Sequence, residues 1–310
     1  MNLFQKEFTG LLQAAFSKPN NAVLSPDFDW DKAVKVASIH NIAAILYYGA
    51  LNCGIPQNTD HMQKLFDLTC KSIMISEQQQ YEINRIVTEF EKENIEYMPL
   101  KGMVLRSIYP KPEMRTMGDA DILIKLETYN RTSNIMKNLG FEFKNETDHE
   151  FIWKNPFLYL ELHKSVMTSY NKDFYKDFGT GWKIAQKNGD GVKYEMSPED
   201  FYIYIFVHFT KHYRISGIGI KHLLDLWVIS EAYPKLNKEY ISNELKKMHL
   251  HEFYLNVLDT INVWFSNGEE NEKTELITNV IYESGQYGIA SHAVVSRAIR
   301  DNSGSITNKK

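Results

Sequence analysis

Met98-Pro99-Leu100-Lys101-Gly102-Met103-Val104-Leu105-Arg106-Ser107-Ile108-Tyr109-Pro110, continued by Lys111-Pro112-Glu113-Met114-Arg115-Thr116-Met117-Gly118-Asp119-Ala120-Asp121-Ile122-Leu123-Ile124, is the stretch on which the fold of this chain turns. The apolar residues up to Leu100 read as a strand, Lys101-Gly102 as a turn into a helix, Pro110 and Pro112 as loop punctuation, and Asp119 to Ile124 as a second strand. Strand side chains alternate between faces, so Asp119 and Asp121 are expected on one face and Ala120, Ile122 and Ile124 on the other. Two carboxylates facing a turn whose N–H groups open a helix suit a Mg²⁺ ion held against phosphates. A bare Asp-x-Asp is more often a solvated strand end. Here the Lys-Gly turn, the Tyr-Pro pair, Arg115 four residues before Asp119, and the apolar run after Asp121 make the pattern more specific.

The run from Pro99 to Ile124 resembles the signature of the uncharacterised nucleotidyltransferase family related to polymerase-beta-like nucleotidyltransferases: Leu-Lys-Gly, then Tyr-Pro, then Arg-x-x-Gly-Asp-x-Asp-Ile-Leu. The likeness returns at Leu160-Glu161-Leu162-His163 and at Gly217-Ile218-Gly219-Ile220-Lys221, which ends in Asp225. It implies an α/β (α+β) core over roughly residues 95–195, a small antiparallel or mixed sheet with helices on one side. Helical regions over 1–94 and 196–302 flank that core, and a flexible tail covers 303–310.

The reaction implied by the resemblance moves a nucleoside monophosphate from a nucleoside triphosphate to an acceptor hydroxyl, using two Mg²⁺ ions about 3.5–4 Å apart. Asp119 and Asp121 would bind both ions and Glu161 the ion on the nucleophile's side. Lys101, Gly102, Arg115 and Lys221 would face the nucleotide, Gly102 by letting the backbone approach the triphosphate. Lys101 has the alternative of a structural ion pair. Lys221 stands where arginine is commoner in the family, and its cation would come from the C-terminal helical region. Its plain alternative is an i,i+4 pair with Asp225. The chain departs from the polymerase-beta-like pattern at one place: Met103 follows Gly102 where serine is usual.

Outward from this stretch the composition is that of a globular protein. The 310 residues are 43% hydrophobic and 24% charged, enough for one large or two smaller domains. A net charge of −4 gives no overall attraction for nucleic acid and leaves room only for a local basic groove. Two cysteines, Cys53 and Cys70, form neither a disulfide framework nor a zinc ribbon, so a reducing cytoplasm is the expected compartment. The first residues lack a basic segment followed by a long apolar run, so no secretory signal is expected. The apolar runs Ile42 to Leu51 and Phe201 to Val207 are too short to cross a bilayer.

Upstream, Asp27 or Asp29 is placed to cap a helix through Val34 to Ile39, Ile42 to Leu51 continues as helix, and a long helix carries Ile83, Ile86, Val87 and Phe90 at helical spacing. Downstream, Glu127 to Leu139 reads as a helix ended by Gly140, with strands starting at Phe141, at His149 to Trp153 and at Phe157 to His163. In the last of these Tyr159, Glu161 and His163 share a face, and a carboxylate in mid-strand calls for a partner or a metal. Ser197-Pro198-Glu199-Asp200 starts a helix on which His208 and His212 share a face, without the glutamate of a zinc protease motif. Further helices are expected from Lys235 to about Arg300.

Two other functions fit the same residues. One is a degenerate relative that binds a nucleotide or a partner without catalysis, consistent with the missing serine. The other is a toxin-like enzyme that modifies tRNA, for which a basic groove beside Asp119 would be needed. The acceptor, whether small molecule, peptide, protein or RNA, is not written in the sequence.

Overall fold

A computed structural model of the chain describes residues 1–16, 23–167, 178–215 and 217–285. The expected tail at 303–310 and the helices expected between 286 and 300 lie outside the described residues.

The chain divides into two compact units. Among the described residues, the first draws on 1–68, 204–228 and 249–285, and the second on 69–203 and 229–248. The core expected over 95–195 thus lies within the second unit together with 69–94, and the N-terminal and most C-terminal helices share the first.

In chain order the helices are α1 (Leu3–Ala14), α2 (Trp30–Ile39), α3 (Ala43–Asn52), α4 (Asp60–Lys92), α5 (Lys101–Ile108), α6 (Tyr129–Asn138), α7 (Pro198–Ile215), α8 (Ile220–Ala232), α9 (Lys238–Lys247), α10 (His251–Phe265) and α11 (Glu272–Ser284). The strands are β1 (Tyr97–Pro99), β2 (Ala120–Ile124), β3 (Glu142–Glu146), β4 (Glu150–Lys154), β5 (Tyr159–His163), β6 (Ala185–Lys187) and β7 (Tyr194–Met196).

The first unit is held by buried faces of its helices: Phe8, Leu11 and Leu12 of α1, Ile45 and Leu46 of α3, Val257 and Trp264 of α10, and Ile277 and Ile281 of α11 are all buried. Gly49 of α3 lets two helices meet, because a Cβ there would sit 1.8 Å from the Leu11 carbonyl oxygen. Asp29 is the cap the sequence offered for α2, its carboxylate accepting from the Lys32 N–H at 2.9 Å. Among the described residues no helix is long and apolar enough to cross a membrane.

The second unit is built on a five-stranded mixed sheet in the order β1-β2-β5-β4-β3. β2 and β5 run parallel, and the other neighbours antiparallel. One face of this sheet is apolar. Ala120, Ile122, Ile124, Phe151, Trp153, Leu160 and Leu162 pack there against Ile83, Ile86 and Phe90 of α4 and Ile135 and Met136 of α6. Burying the large side chains among these, at ~1.5–3 kcal/mol each, fixes the register, because a one-residue slip of β2 or β5 would turn Ile122 or Leu162 out of the core. The edge strand β3 is exposed throughout, carries Glu142, Lys144 and Glu146, and shifts register between Phe143 and Asn145. Charges and a bulge of this kind keep an edge from pairing with other chains. β6 and β7 form a separate hairpin that the sequence reading did not foresee.

Candidate active site

The apolar face of the sheet dictates its other face. With Ala120, Ile122, Leu160 and Leu162 turned into the core, Asp121, Glu161 and His163 must point the opposite way. Register then does the rest. Asp121 is the partner of Glu161 across β2 and β5, and Glu150 is the partner of His163 across β4 and β5. One oxygen each of Asp121 and Glu161 and one ring nitrogen of His163 lie within 4.8 Å of one another.

Asp121 is buried, only 2% exposed. Its Oδ1 receives Lys101 Nζ at 2.5 Å and His163 Nε2 at 2.8 Å. A carboxylate only accepts, so Nε2 of His163 carries the proton and donates it. Burial pushes the Asp121 carboxyl up, and the charges and hydrogen bonds of Lys101 and His163 overcome this, holding it well below the usual carboxylate range. For Glu161 the balance runs the other way. Burial, then the negative charges of Asp121 and Asp119, raise its carboxyl against the opposing pull of His163 and Lys101. Burial would lower His163, but its hydrogen bonds to Asp121 and Glu161 raise it.

Lys101 is the first residue of α5 and has φ +37°, a left-handed backbone that costs a side-chain-bearing residue ~1–2 kcal/mol. A lysine at a helix N-terminus also opposes the helix dipole. Neither choice helps the helix, and both bring the ammonium to Asp121. The Leu100 N–H donates to the Asp121 carbonyl at 2.9 Å, which ties the turn to β2. No side chain caps α5, and the Met103 N–H turns back to the Leu100 carbonyl at 3.1 Å.

The sequence-predicted residues separate as follows. β2 begins at Ala120, so Asp119 stands on the bend before the strand instead of opening it. It is still near enough for its charge to raise Glu161 and Tyr159. Gly102 is required by packing: a Cβ there would lie 2.8 Å from Cγ of Met117. Arg115 is buried, and its Nη1 donates to the Thr116 carbonyl at 2.6 Å.

Around Arg115 the loop is pinned by residues that the sequence reading passed over. Arg106 donates from Nε to the Arg115 carbonyl at 3.4 Å and from Nη2 to Gln79 Oε1 at 2.7 Å, and Gln79 Nε2 donates to the Met117 carbonyl at 3.0 Å. Burial, reinforced by the Arg115 charge, lowers the Arg106 guanidinium to about 10. Lys221 lies in the first turn of α8, within the first unit, and is buried, as is Asp225 on the same helix. In that unit the rings of His208 and His212 are 4.4 Å apart.

A cavity of about 440 Å³ borders α5 and is lined by Tyr97, Pro99, Met103, Arg106, Met117 and Phe201 among others. None of the three carboxylates lines it.

The donor set can be tested for a divalent ion from its own chemistry. Asp119, Asp121 and Glu161 offer only oxygen, as a hard cation prefers, and the upward push on Glu161, first from burial and then from the charges of Asp121 and Asp119, is one that a bound cation would counter. Carboxylate oxygens of this kind are the chemistry that a hard divalent cation takes. His163 does not ligate on this side, because its Nε2 is engaged as a donor to Asp121.

Residues 26–266 match the model of a family described as uncharacterised nucleotidyltransferase. No curated protein matches the sequence. Among solved structures, the antibiotic-resistance factor ANT(2'')-Ia in solution is similar over 56% of this chain and 93% of its own, at 14% identity and a TM-score of 0.42. The crystal structure of ANT(2")-Ia in complex with adenylyl-2"-tobramycin covers 55% of this chain and 96% of its own, at 15% identity and a TM-score of 0.41. An antigenic nucleotidyltransferase-like protein from Paracoccidioides brasiliensis covers 57% and 91%, at 16% identity and a TM-score of 0.35.

Proposed function

The chain belongs to the family of uncharacterised nucleotidyltransferases, and from that premise we propose that it moves a nucleoside monophosphate from a nucleoside triphosphate to an acceptor hydroxyl in a Mg²⁺-dependent reaction. The acceptor oxygen bonds to the α-phosphorus, the bond from that phosphorus to the pyrophosphate oxygen breaks, and the hydroxyl proton is released. When bound, Mg²⁺ neutralises phosphate charge and activates the attacking oxygen.

The observation that carries this reading is the pairing of Asp121 with Glu161 in register on adjacent parallel strands, which sets two carboxylates side by side on the face away from the core. Asp119 on the preceding bend completes the set. His163 keeps Asp121 charged and oriented through its 2.8 Å hydrogen bond. Lys101 neutralises Asp121 and, as the first residue of α5, would offer its ammonium to a phosphate oxygen were a cation bound at Asp121. Gly102 and Arg115 serve the nucleotide by shaping the turn and the loop, and Lys221 is proposed as the cation from the C-terminal helices.

One observation favours a second reading, a nucleotide-binding or interaction protein without catalysis. Met117 occupies the space over Gly102, so the backbone of that turn is not open to a triphosphate from the Met117 side.

Calorimetry with ATP, GTP, CTP and UTP separates these from no nucleotide function at all. At least one triphosphate should bind with Mg²⁺, and much more weakly after Asp119→Ala with Asp121→Ala. If none binds the wild type at millimolar concentration, the reading fails.

A further inference from the structure

Behind Asp121 stands a second group that nucleotidyl transfer does not use. Glu150 opens β4 opposite His163, and His149 precedes it. Glu150 Oε2 lies 3.1 Å from His149 Nε2 and 3.9 Å from His163 Nδ1, and the three ligand atoms fall within 4.8 Å of one another. In each histidine the other ring nitrogen is already committed to a carboxylate. His149 Nδ1 is 2.8 Å from Asp148 Oδ1, and His163 Nε2 is 2.8 Å from Asp121 Oδ1. His163 is 2% exposed, and its Nδ1 has no hydrogen-bond partner.

Carboxylates accept, so Nε2 of His163 donates to Asp121, which leaves its buried Nδ1 unpartnered on the side of Glu150. Nδ1 of His149 lies between the Asp148 carboxylate and the Thr147 hydroxyl, the latter 3.2 Å away, and its Nε2 faces Glu150. One cation shared by His149 Nε2, Glu150 and His163 Nδ1 would satisfy the unpartnered nitrogen and the carboxylate together.

We propose that His149, Glu150 and His163 form a binding site for a transition-metal ion of the Zn²⁺ class, separate from the Mg²⁺ carboxylates. Two imidazoles and one carboxylate are the ligand set of open zinc sites, with a fourth position for water, whereas Mg²⁺ prefers oxygen alone. Ligand bonds of about 2.0–2.1 Å in a tetrahedron put ligand atoms roughly 3.3 Å apart. The 3.1 Å contact already meets this, and the 3.9 Å contact needs a small contraction. A carboxylate behind each histidine is the support that orients metal-ligating imidazoles and raises their basicity. The ion would hold His163 in the tautomer that donates to Asp121, which makes His163 a positioning residue joining the two sites. The site stands whether or not the chain transfers nucleotides.

The test uses the full chain stripped of metal and titrated with Co²⁺ in excess Mg²⁺. One equivalent should bind with the strong visible bands of tetrahedral cobalt and be displaced by Zn²⁺. His149→Ala should weaken binding at least about tenfold, and His149→Gln gives the same reading should the alanine variant not fold. Asp119→Asn should leave the bands in place. Absence of stoichiometric binding, or the weak spectrum of octahedral cobalt, would overturn the site. So would bands that survive His149→Ala and vanish with Asp119→Asn, which would put the ion at the Mg²⁺ carboxylates.

Discussion

Glu161→Gln should make the second unit more stable while abolishing transfer. Oxygens of Asp121 and Glu161 lie within 4.8 Å, and two unit negative charges at that separation repel by roughly 3.5 kcal/mol at an effective dielectric of 20. Lys101 and His163 offset most of this, but the Glu161 carboxyl is still raised, with burial the largest cause. An uncharged isostere escapes both the burial cost and this repulsion, so the variant should be the more stable at neutral pH.

A carboxyl raised by folding binds more protons in the folded state between its two pKa values, so wild-type stability falls as pH rises through that window. Below the ordinary glutamate range of about 4.3 the wild-type group is protonated in both states, and the difference between variant and wild type should vanish. Above the folded value it should reach its plateau. Urea unfolding in EDTA, followed through the buried Trp153 of the sheet core, measures this. Added Mg²⁺ should then stabilise the wild type, by about 2.7 kcal/mol at a hundredfold excess over its Kd, and the variant less. A Glu161→Gln protein that is less stable at neutral pH, or a difference unchanged between pH 7 and about pH 4, would refute the reasoning.

Asp121→Asn should behave in the opposite sense, losing about 3–5 kcal/mol because Lys101 and His163 are left facing an amide. It should also flatten the loss of stability that the wild type shows as pH rises through the raised His163 value, which urea midpoints across pH 6–9 would read. Gly102→Ala should cost about 1–3 kcal/mol through its contact with Met117, and Met117→Ala should recover much of that in a double-mutant cycle; additive losses would show the clash to be unimportant. Lys221→Ala should weaken triphosphate binding more than adenosine binding in calorimetry. Equal losses, or none, would leave Lys221 as a buried structural partner of its own helix.

Much of this was legible in the sequence because the two periodicities are strict. The alternation in Ala120 to Ile124 and in Tyr159 to His163 separated the core face from the carboxylate face before any pairing was known, and the structure keeps that separation. His163 was visible as the same-face neighbour of Glu161, but alternation cannot say what a histidine touches. Its partners come from β2, which brings Asp121 to its Nε2, and from β4, whose register places Glu150 opposite it. Asp119 was read one residue too far into the strand because Asp-x-Asp looks the same on a bend as on a pleat.

At Gly102, read for close ligand approach, a Cβ would also meet Met117, fifteen residues away in sequence and brought back by the loop. That loop is pinned by Arg106 and Gln79, which no local pattern distinguishes from ordinary helix residues. The hairpin of β6 and β7 is only three residues per strand, too short to leave a period.

The central claim, that Asp119, Asp121 and Glu161 form a nucleotidyl-transfer site, is tested most directly by incubating the protein with each α-phosphate-labelled triphosphate, Mg²⁺ and a cell extract, then following the label. The account predicts that one triphosphate passes its label to an acceptor with matching pyrophosphate release, and that Glu161→Gln binds that triphosphate within a few-fold of wild type while transfer falls by orders of magnitude. Transfer at nearly the wild-type rate by Glu161→Gln, or by Asp119→Ala with Asp121→Ala, would contradict it.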